Sequence, residues 1–261
     1  MKGTLELGKI AGIGLFIHWT FSLLILFIVY INHKAGQNAT QILWSFLFIL
    51  CIFITVLMHE LGHALTAKKY NIKTIDITLL PIGGLARLER LPEKPSEELV
   101  VALAGPLVNI ALALITSLFI TLPNTSEQMV SQLSNGVNSN NFFLNFFLVN
   151  IVLAIFNLIP AFPMDGGRVL RALLSYKLER HVATKIAARI GQILAIGFIF
   201  LGFAIGAVAT GLLVAIGVTG SLPLLLLIFA VLSLVAWLGL KRAFGRVNWQ
   251  VKLWDRDVND N

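Results

Sequence analysis

His59-Glu60-Leu61-Gly62-His63 stands inside a run, Ile42 to Ala67, that is otherwise almost entirely apolar and long enough to cross a bilayer. On a helix, the H-E-x-x-H spacing puts two imidazoles one turn apart on one face, where both can bind a zinc ion. The glutamate then lies beside the metal as a general base. An unpaired charge at the centre of a hydrocarbon-spanning helix costs roughly 2 to 3 kcal/mol or more, so this cluster calls for a partner and a purpose.

Composition places the whole chain in the membrane class. Hydrophobic residues make up 57% and charged residues 13% of the 261 positions, with a mean hydropathy of +0.85; a soluble domain carries about 25% charged residues. The length leaves no room for a second sizeable soluble domain beside several spans, so residues 1–240 read as one transmembrane domain, followed by a charged cytoplasmic tail, 241–261. The lone cysteine, Cys51, lies in an apolar run and permits no intrachain disulfide.

Working outward from the motif, the first apolar stretch is Ile10 to Ile31. It is too long for a signal peptide and is followed by Asn32-His33-Lys34 rather than small residues, so it reads as a retained first span. Further candidates are Leu99 to Leu122, Phe142 to Ile159 and a double-length run from Ile190 to Leu240, where Gly211, Gly220 and Pro223 offer places to break. The expected fold is an all-α membrane protein of about six transmembrane helices. With the N-terminus cytoplasmic, nineteen of the twenty Lys and Arg residues then fall on one side and only Lys34 on the other. That asymmetry puts both termini in the cytoplasm. It also accounts for the net charge of +7 and the pI near 9.8 without any nucleic acid, because the cations sit beside membrane ends. The nine residues from His59 to Lys68 cover roughly 14 Å of helix, so the histidines lie below the cytoplasmic surface but short of the midplane.

Two histidines leave zinc short of protein ligands. The best further candidate is Asp165, in Asn157-Leu158-Ile159-Pro160-Ala161-Phe162-Pro163-Met164-Asp165-Gly166-Gly167-Arg168. The prolines interrupt the helix and the glycines let the chain turn closely, which can hold a carboxylate at membrane depth on irregular backbone. An aspartate in front of a helix is equally at home as its cap, and local sequence leaves both readings open.

Here the chain resembles the site-2 proteases, polytopic intramembrane zinc metalloproteases. The resemblance rests on His59 to His63 and on the N-x-x-P-x-x-P-x-D-G-G arrangement of Asn157 to Gly167. It also takes in Leu80-Pro81-Ile82-Gly83-Gly84 and Ala104-Gly105-Pro106-Leu107-Val108-Asn109. It implies that His59, His63 and Asp165 hold a single zinc and that Glu60 is the catalytic base. It associates Asn157 with substrate or oxyanion contact; backbone hydrogen bonding at a helix break is the competing role for that side chain. The implied substrate is a transmembrane segment of a single-pass membrane protein, within the lipid bilayer.

A helical substrate hides its peptide bonds, so a protease in the bilayer must first hold the strand extended. Thr74 to Leu80 favours strand, Pro81-Ile82-Gly83-Gly84 turns, and Leu85 to Leu88 can return as a hairpin whose edge accepts substrate, with Ile82, Gly83 and Gly84 as candidate contacts. The resemblance implies a re-entrant hairpin there, between spans two and three.

His18-Trp19 read as an interfacial or packing pair, and Gly105-Pro106 with Asn109 as close helix packing with a polar contact. Asn38-Ala39-Thr40 matches a glycosylation pattern. The family's soluble PDZ insertion and C-terminal CBS pair are not expected in this chain, and Pro123 to Asn141, without Lys or Arg, reads as a connector. A metal transporter or a catalytically silent scaffold are the alternatives. The first would spread polar ligands along a path across the membrane, and the second would usually have lost a ligand or the base.

Overall fold

A computed structural model describes residues 3–81, 83–120, 125–126 and 136–215. The described chain is mostly helical, but it is not all-α. Strands β1 (Thr4–Ile10), β2 (Ile13–His18), β3 (Thr74–Leu80) and β4 (Gly83–Leu88) form one mixed sheet in the order β1-β2-β3-β4. The outer pairs are antiparallel and β2 runs parallel to β3.

The predicted first span, Ile10 to Ile31, is therefore corrected. Its N-terminal half is strand, and the helix begins only at Thr20. The reason is local. Ala11 and Gly12 both take positive φ, 53° and 87°, which makes a two-residue hairpin turn pairing Ile10 with Ile13. In β2 the alternate residues Ile13 and Leu15 then turn inward against Ile77 and Ala64. The even apolar content of the run hid this alternation, since a buried strand and a membrane helix read alike over so short a stretch.

The chain leaves the sheet through helix α1 (Thr20–Lys34) and returns through α2 (Ala39–Lys69). Because β2 and β3 are parallel neighbours, these two helices bring both halves of the sheet to the same end of the molecule. Asn38, read as part of a glycosylation pattern, caps α2: its Oδ1 accepts the Gln41 backbone N–H, and the Gln41 side chain accepts the Asn38 backbone N–H. At the other end Asn71, at φ 56°, stops the helix. The Asn71 N–H reaches the Lys68 carbonyl and the Ile72 N–H the Ala67 carbonyl, both at 3.1 Å, while Ile72 packs with Ala67 and Val101.

Helices α3 (Pro95–Ser117), α4 (Phe142–Asn157), α5 (Asp165–Leu174) and α6 (Arg180–Ala215) follow. Among the described helices, α2 with 31 residues and α3 with 23 are long and apolar enough to cross a membrane; α1 and α4 are apolar but shorter. Only 22% of the apolar window of α2 is buried within the protein. The outward residues Leu107, Leu114, Val152 and Ile155 are exposed hydrocarbon, as a lipid-facing surface requires. Helix α6 runs through Gly211 without a break. Gly220, Pro223 and the charged tail 241–261 lie outside the described residues, as does most of the connector from Pro123 to Asn141.

The predicted hairpin is present, with Leu80 paired to Gly83, so both glycines belong to β4. It is half of a larger sheet in which β4 is an edge strand. Asp76 on β3 faces Arg87 on β4, whose Nε donates to Oδ1 at 2.7 Å while Nη2 donates to Oδ2. This guanidinium holds the Asp76 carboxyl below the ordinary carboxylate range. A lowered folded-state pKa contributes stability that is present above about pH 4 and is lost as pH falls through the folded value. Asp76→Asn therefore flattens the acid limb of a melting-temperature profile and leaves its neutral limb's slope unchanged.

Candidate metal centre

Helix α2 carries His59 and His63 one turn apart, and both are buried. Asp165, at the first residue of α5, meets them from a hundred positions away: its Oδ2 lies 3.1 Å from His59 Nε2 and 3.0 Å from His63 Nε2, and the two Nε2 atoms are 3.1 Å apart. The capping role for Asp165 does not apply. The N-cap of α5 is Met164, without a side-chain cap bond, and the Asp165 carboxylate is committed to the imidazoles.

Backbone geometry explains why these residue types surround the carboxylate. A Cβ on Gly166 would lie 2.2 Å from the Ile159 carbonyl oxygen, and one on Gly167 2.7 Å from the Phe162 backbone nitrogen. The first turn of α5 thus presses against the irregular Leu158 to Phe162 segment, which only glycine permits. A buried ionic cluster ties the far end of α5 down. Arg171 donates from Nε to Glu98 Oε1 at 2.8 Å and also through Nη2; Arg180 reaches Glu98 Oε2 at 3.3 Å and the Pro92 carbonyl at 2.7 Å. The Arg171 guanidinium lies 5.3 Å over the Phe162 ring. Glu98 therefore joins α3, α5 and α6 behind the residue that presents Asp165, a role sequence reading gave it no reason to expect, since Glu98 looks like an ordinary first-turn acid.

The outer partners of the imidazoles decide what the cluster can hold. His63 Nδ1 lies 2.7 Å from the Val101 carbonyl, which can only accept, so it carries the ring proton. His59 Nδ1 lies 2.5 Å from Asn109 Oδ1 and donates likewise. With each neutral imidazole's single proton committed to Nδ1, two nitrogen lone pairs and a carboxylate oxygen converge with no hydrogen between them. A cation satisfies that arrangement. Tetrahedral zinc with bonds of about 2.0 to 2.2 Å separates its ligand atoms by roughly 3.3 to 3.5 Å, so the triangle fits after a movement of a few tenths of an ångström. Two histidines and a carboxylate leave a fourth position open, as catalytic zinc sites do. Among the described residues this is the one His/Cys/Asp/Glu group that could hold a metal ion.

The Gly105-Pro106 and Asn109 segment, read from sequence as packing with a polar contact, supplies both. A Cβ on Gly105 would fall 2.3 Å from His63 Nε2 and 2.6 Å from His59 Nε2. Gly62 also approaches the Ala104 carbonyl oxygen closely, at 2.9 Å for an added Cβ. Gly105→Ala would place a methyl among the ligand atoms themselves. The expected result is loss of stoichiometric zinc from purified protein by elemental analysis, while Gly105→Ser offers no relief because it carries the same Cβ.

Glu60, next to His59, is half-buried, and its carboxylate forms no hydrogen bond or ion pair with a described residue. It lies under Gly84 of β4, where an added Cβ would sit 2.5 Å from Glu60 Cγ. The edge strand therefore passes directly over the candidate base, and glycine is what lets it approach. Gly83 precedes it at φ 138°, a conformation that suits glycine; Ile82 lies outside the described residues. Asn157 ends α4, and its Nδ2 donates to the Leu153 carbonyl at 3.0 Å, the helix-end backbone role. The structure thus brings together His59, Glu60, His63, Asp165 and Gly84, while the Asn157 amide is turned to the Leu153 carbonyl. His18 Nδ1 meets Thr20 Oγ1 at 2.8 Å at the start of α1 and lies apart from the cluster, as expected.

Comparison with known proteins follows the same residues. Residues 47–198 match the sequence model of peptidase family M50. The chain is 42% identical over 203 residues to zinc metalloprotease MJ0392 of Methanocaldococcus jannaschii, covering 77% of this chain and 55% of that protein. It is 30% identical over 213 residues to the putative zinc metalloprotease Rip3 of Mycobacterium tuberculosis, covering 78% and 52%. It is 34% identical over 139 residues to stage IV sporulation protein FB of Bacillus subtilis, covering 53% and 44%. The chain thus spans about half the length of these relatives. The solved site-2 protease from Methanocaldococcus jannaschii superimposes with a TM-score of 0.56 at 35% identity, covering 92% of this chain and 94% of that one.

Proposed function

Because the chain belongs to peptidase family M50, we propose that it is an intramembrane zinc endopeptidase that hydrolyses a peptide bond in the transmembrane segment of a single-pass membrane protein. The convergence of His59, His63 and Asp165 at 3.0 to 3.1 Å is the observation that carries this reading. These three side chains would hold the zinc. When bound, the metal polarises the scissile carbonyl and lowers the pKa of water toward about 7.

The chain's own residues do the rest. Glu60 takes a proton from the attacking water and returns it to the leaving amine, a role that suits a carboxylate beside the ligands with no competing partner among the described residues. The outer edge of β4, which pairs with no other described strand and runs over Glu60 at Gly84, receives the unwound substrate as an added strand. Asn157 would serve as a neutral donor to the developing oxyanion only after releasing the Leu153 carbonyl.

The chain crosses the bilayer several times, with about six spans on the count from hydropathy and both termini in the cytoplasm. The gathering of β2 and β3 at one end of α1 and α2 supports this arrangement, since it keeps residues 4–18 and 74–88 on the side of the basic loops.

Cleavage of a single-pass substrate in detergent, set beside zinc flux in sealed vesicles, tests the proposal: zinc-dependent cleavage without flux is the expected outcome, and flux without cleavage would defeat it. Proline at Leu85 on the edge strand is expected to lower turnover far more than zinc content, because it disturbs strand addition and leaves the ligands in place.

A further inference from the structure

We propose that Asn150, on α4, is a positioning residue for the metal centre: it holds the Asn109 amide in one orientation and so fixes which nitrogen of His59 faces the cluster. The inference rests on the reading of His59 as a zinc ligand.

Asn150 is wholly buried within a helix whose other residues are apolar except for Asn145 and Asn157, and a polar side chain at such a position is retained where it has a specific partner. Its nitrogen and oxygen ends look alike in shape, so the direction of each hydrogen bond has to come from the network. The network has a fixed end. Asn150 Nδ2 lies 2.9 Å from the Phe146 carbonyl, a group that can only accept. That contact turns Asn150 Oδ1 toward Asn109, whose Nδ2 donates to it at 3.3 Å. Asn109 Oδ1 is thereby directed at His59 Nδ1, 2.5 Å away. His59 must donate there, its proton resides on Nδ1, and Nε2 keeps the lone pair that faces Asp165 and His63.

Three hydrogen bonds thus run in one direction, from imidazole to amide to amide to backbone carbonyl, across α2, α3 and α4. All three side chains are buried, and Asn109 and Asn150 are fully so, so no solvent competes for the bonds. If Asn109 turned over, its Nδ2 would face His59 Nδ1. The ring proton would then move to Nε2, into the space between the ligand atoms. His63 needs no such relay, because the Val101 carbonyl already fixes its proton. The two ligands on α2 therefore differ in how their tautomers are secured, and only His59 depends on a side-chain chain.

The test is a double-mutant cycle read as zinc affinity by chelator competition. Asn150→Leu fills the site with hydrocarbon and frees Asn109 to turn; zinc affinity should fall about 10-fold or more, within the roughly 10- to 100-fold range for outer partners of metal-bound histidine. In an Asn109→Leu background the same change should matter by less than about twofold, the scatter of independent sites. Asn150→Ser is the second variant. Its hydroxyl can still bond the Phe146 carbonyl but is too short to receive Asn109, so the helix stays satisfied and the affinity loss should persist. Unchanged affinity in Asn150→Leu and Asn150→Ser would overturn the relay, as would an equal loss with and without Asn109. A wild-type protein that binds no zinc would overturn the metal reading itself, and the relay with it.

Discussion

Glu60→Gln abolishes cleavage and keeps the metal. The amide is nearly isosteric with the carboxylate, fits beneath Gly84 as the acid does, and is not one of the three converging ligand groups. Zinc content should stay at one per chain. What disappears is the proton acceptor: an amide cannot take the proton of the attacking water or return it to the leaving amine. General acid-base catalysis is worth about 10²- to 10⁴-fold, and here one group is asked to serve both steps, so turnover should fall toward the upper end of that range. Elemental analysis beside a cleavage assay on the same preparation separates this outcome from unfolding. A Glu60→Gln protein that still cuts at the wild-type rate defeats the assignment of the base.

Asp165→Ala produces the opposite pattern: metal and activity go together. Asp165 Oδ2 contacts both imidazoles, at 3.1 and 3.0 Å, and supplies the only negative charge among the three ligand groups. Removing it leaves zinc with two neutral nitrogens on one helix, and the loss of affinity should exceed the roughly 10- to 100-fold that losing an outer partner costs. Asp165→Asn keeps the size and one oxygen but not the charge, and should fall between wild type and Asp165→Ala. Equal zinc affinity in all three proteins would place the metal elsewhere. Asp165 also stands at the start of a helix fixed by Gly166, Gly167 and the Glu98 and Arg171 pair, so the empty protein should remain folded.

The parts of the site that could be read in the sequence are those where spacing alone fixes geometry. His59, Glu60 and His63 share one helix, and the 3.6-residue turn dictates that both imidazoles face the same way. Thr74 to Leu88 read as a hairpin because a strand-favouring run, Thr74 to Leu80, leads into a Pro-x-Gly-Gly turn after which Leu85 to Leu88 can return. Asp165 was ambiguous, since an aspartate before a helix serves as cap or ligand equally well; only the fold, bringing α5 against α2, decides between them.

Other parts were not legible because they depend on tertiary contacts with no local mark. The residues Ile10 to Ile31 hold a strand and a helix under one apolar average, and the two-residue turn at Ala11-Gly12 lacks the Asn or Asp that usually signals it. The sheet β1-β2-β3-β4 joins segments more than fifty residues apart, so nothing near Ile13 announces its partner Ile77. Asn109 was expected to make a polar contact, but that its partner is a ligand histidine, and that Asn150 stands behind it, required three helices to be in place. Glu98 shows the same limitation: its sequence setting is a helix first turn, its structural setting a buried position between Arg171 and the partly exposed Arg180.

Zinc K-edge X-ray absorption on the purified protein tests the central claim most directly. The expected spectrum fits two imidazole nitrogens and oxygen ligands at about 2.0 to 2.2 Å; in His59→Ala and Asp165→Ala reloaded with excess zinc, one imidazole nitrogen and one carboxylate oxygen respectively are lost. A zinc environment built from sulfur, or one left unchanged when Asp165 is replaced, would contradict it.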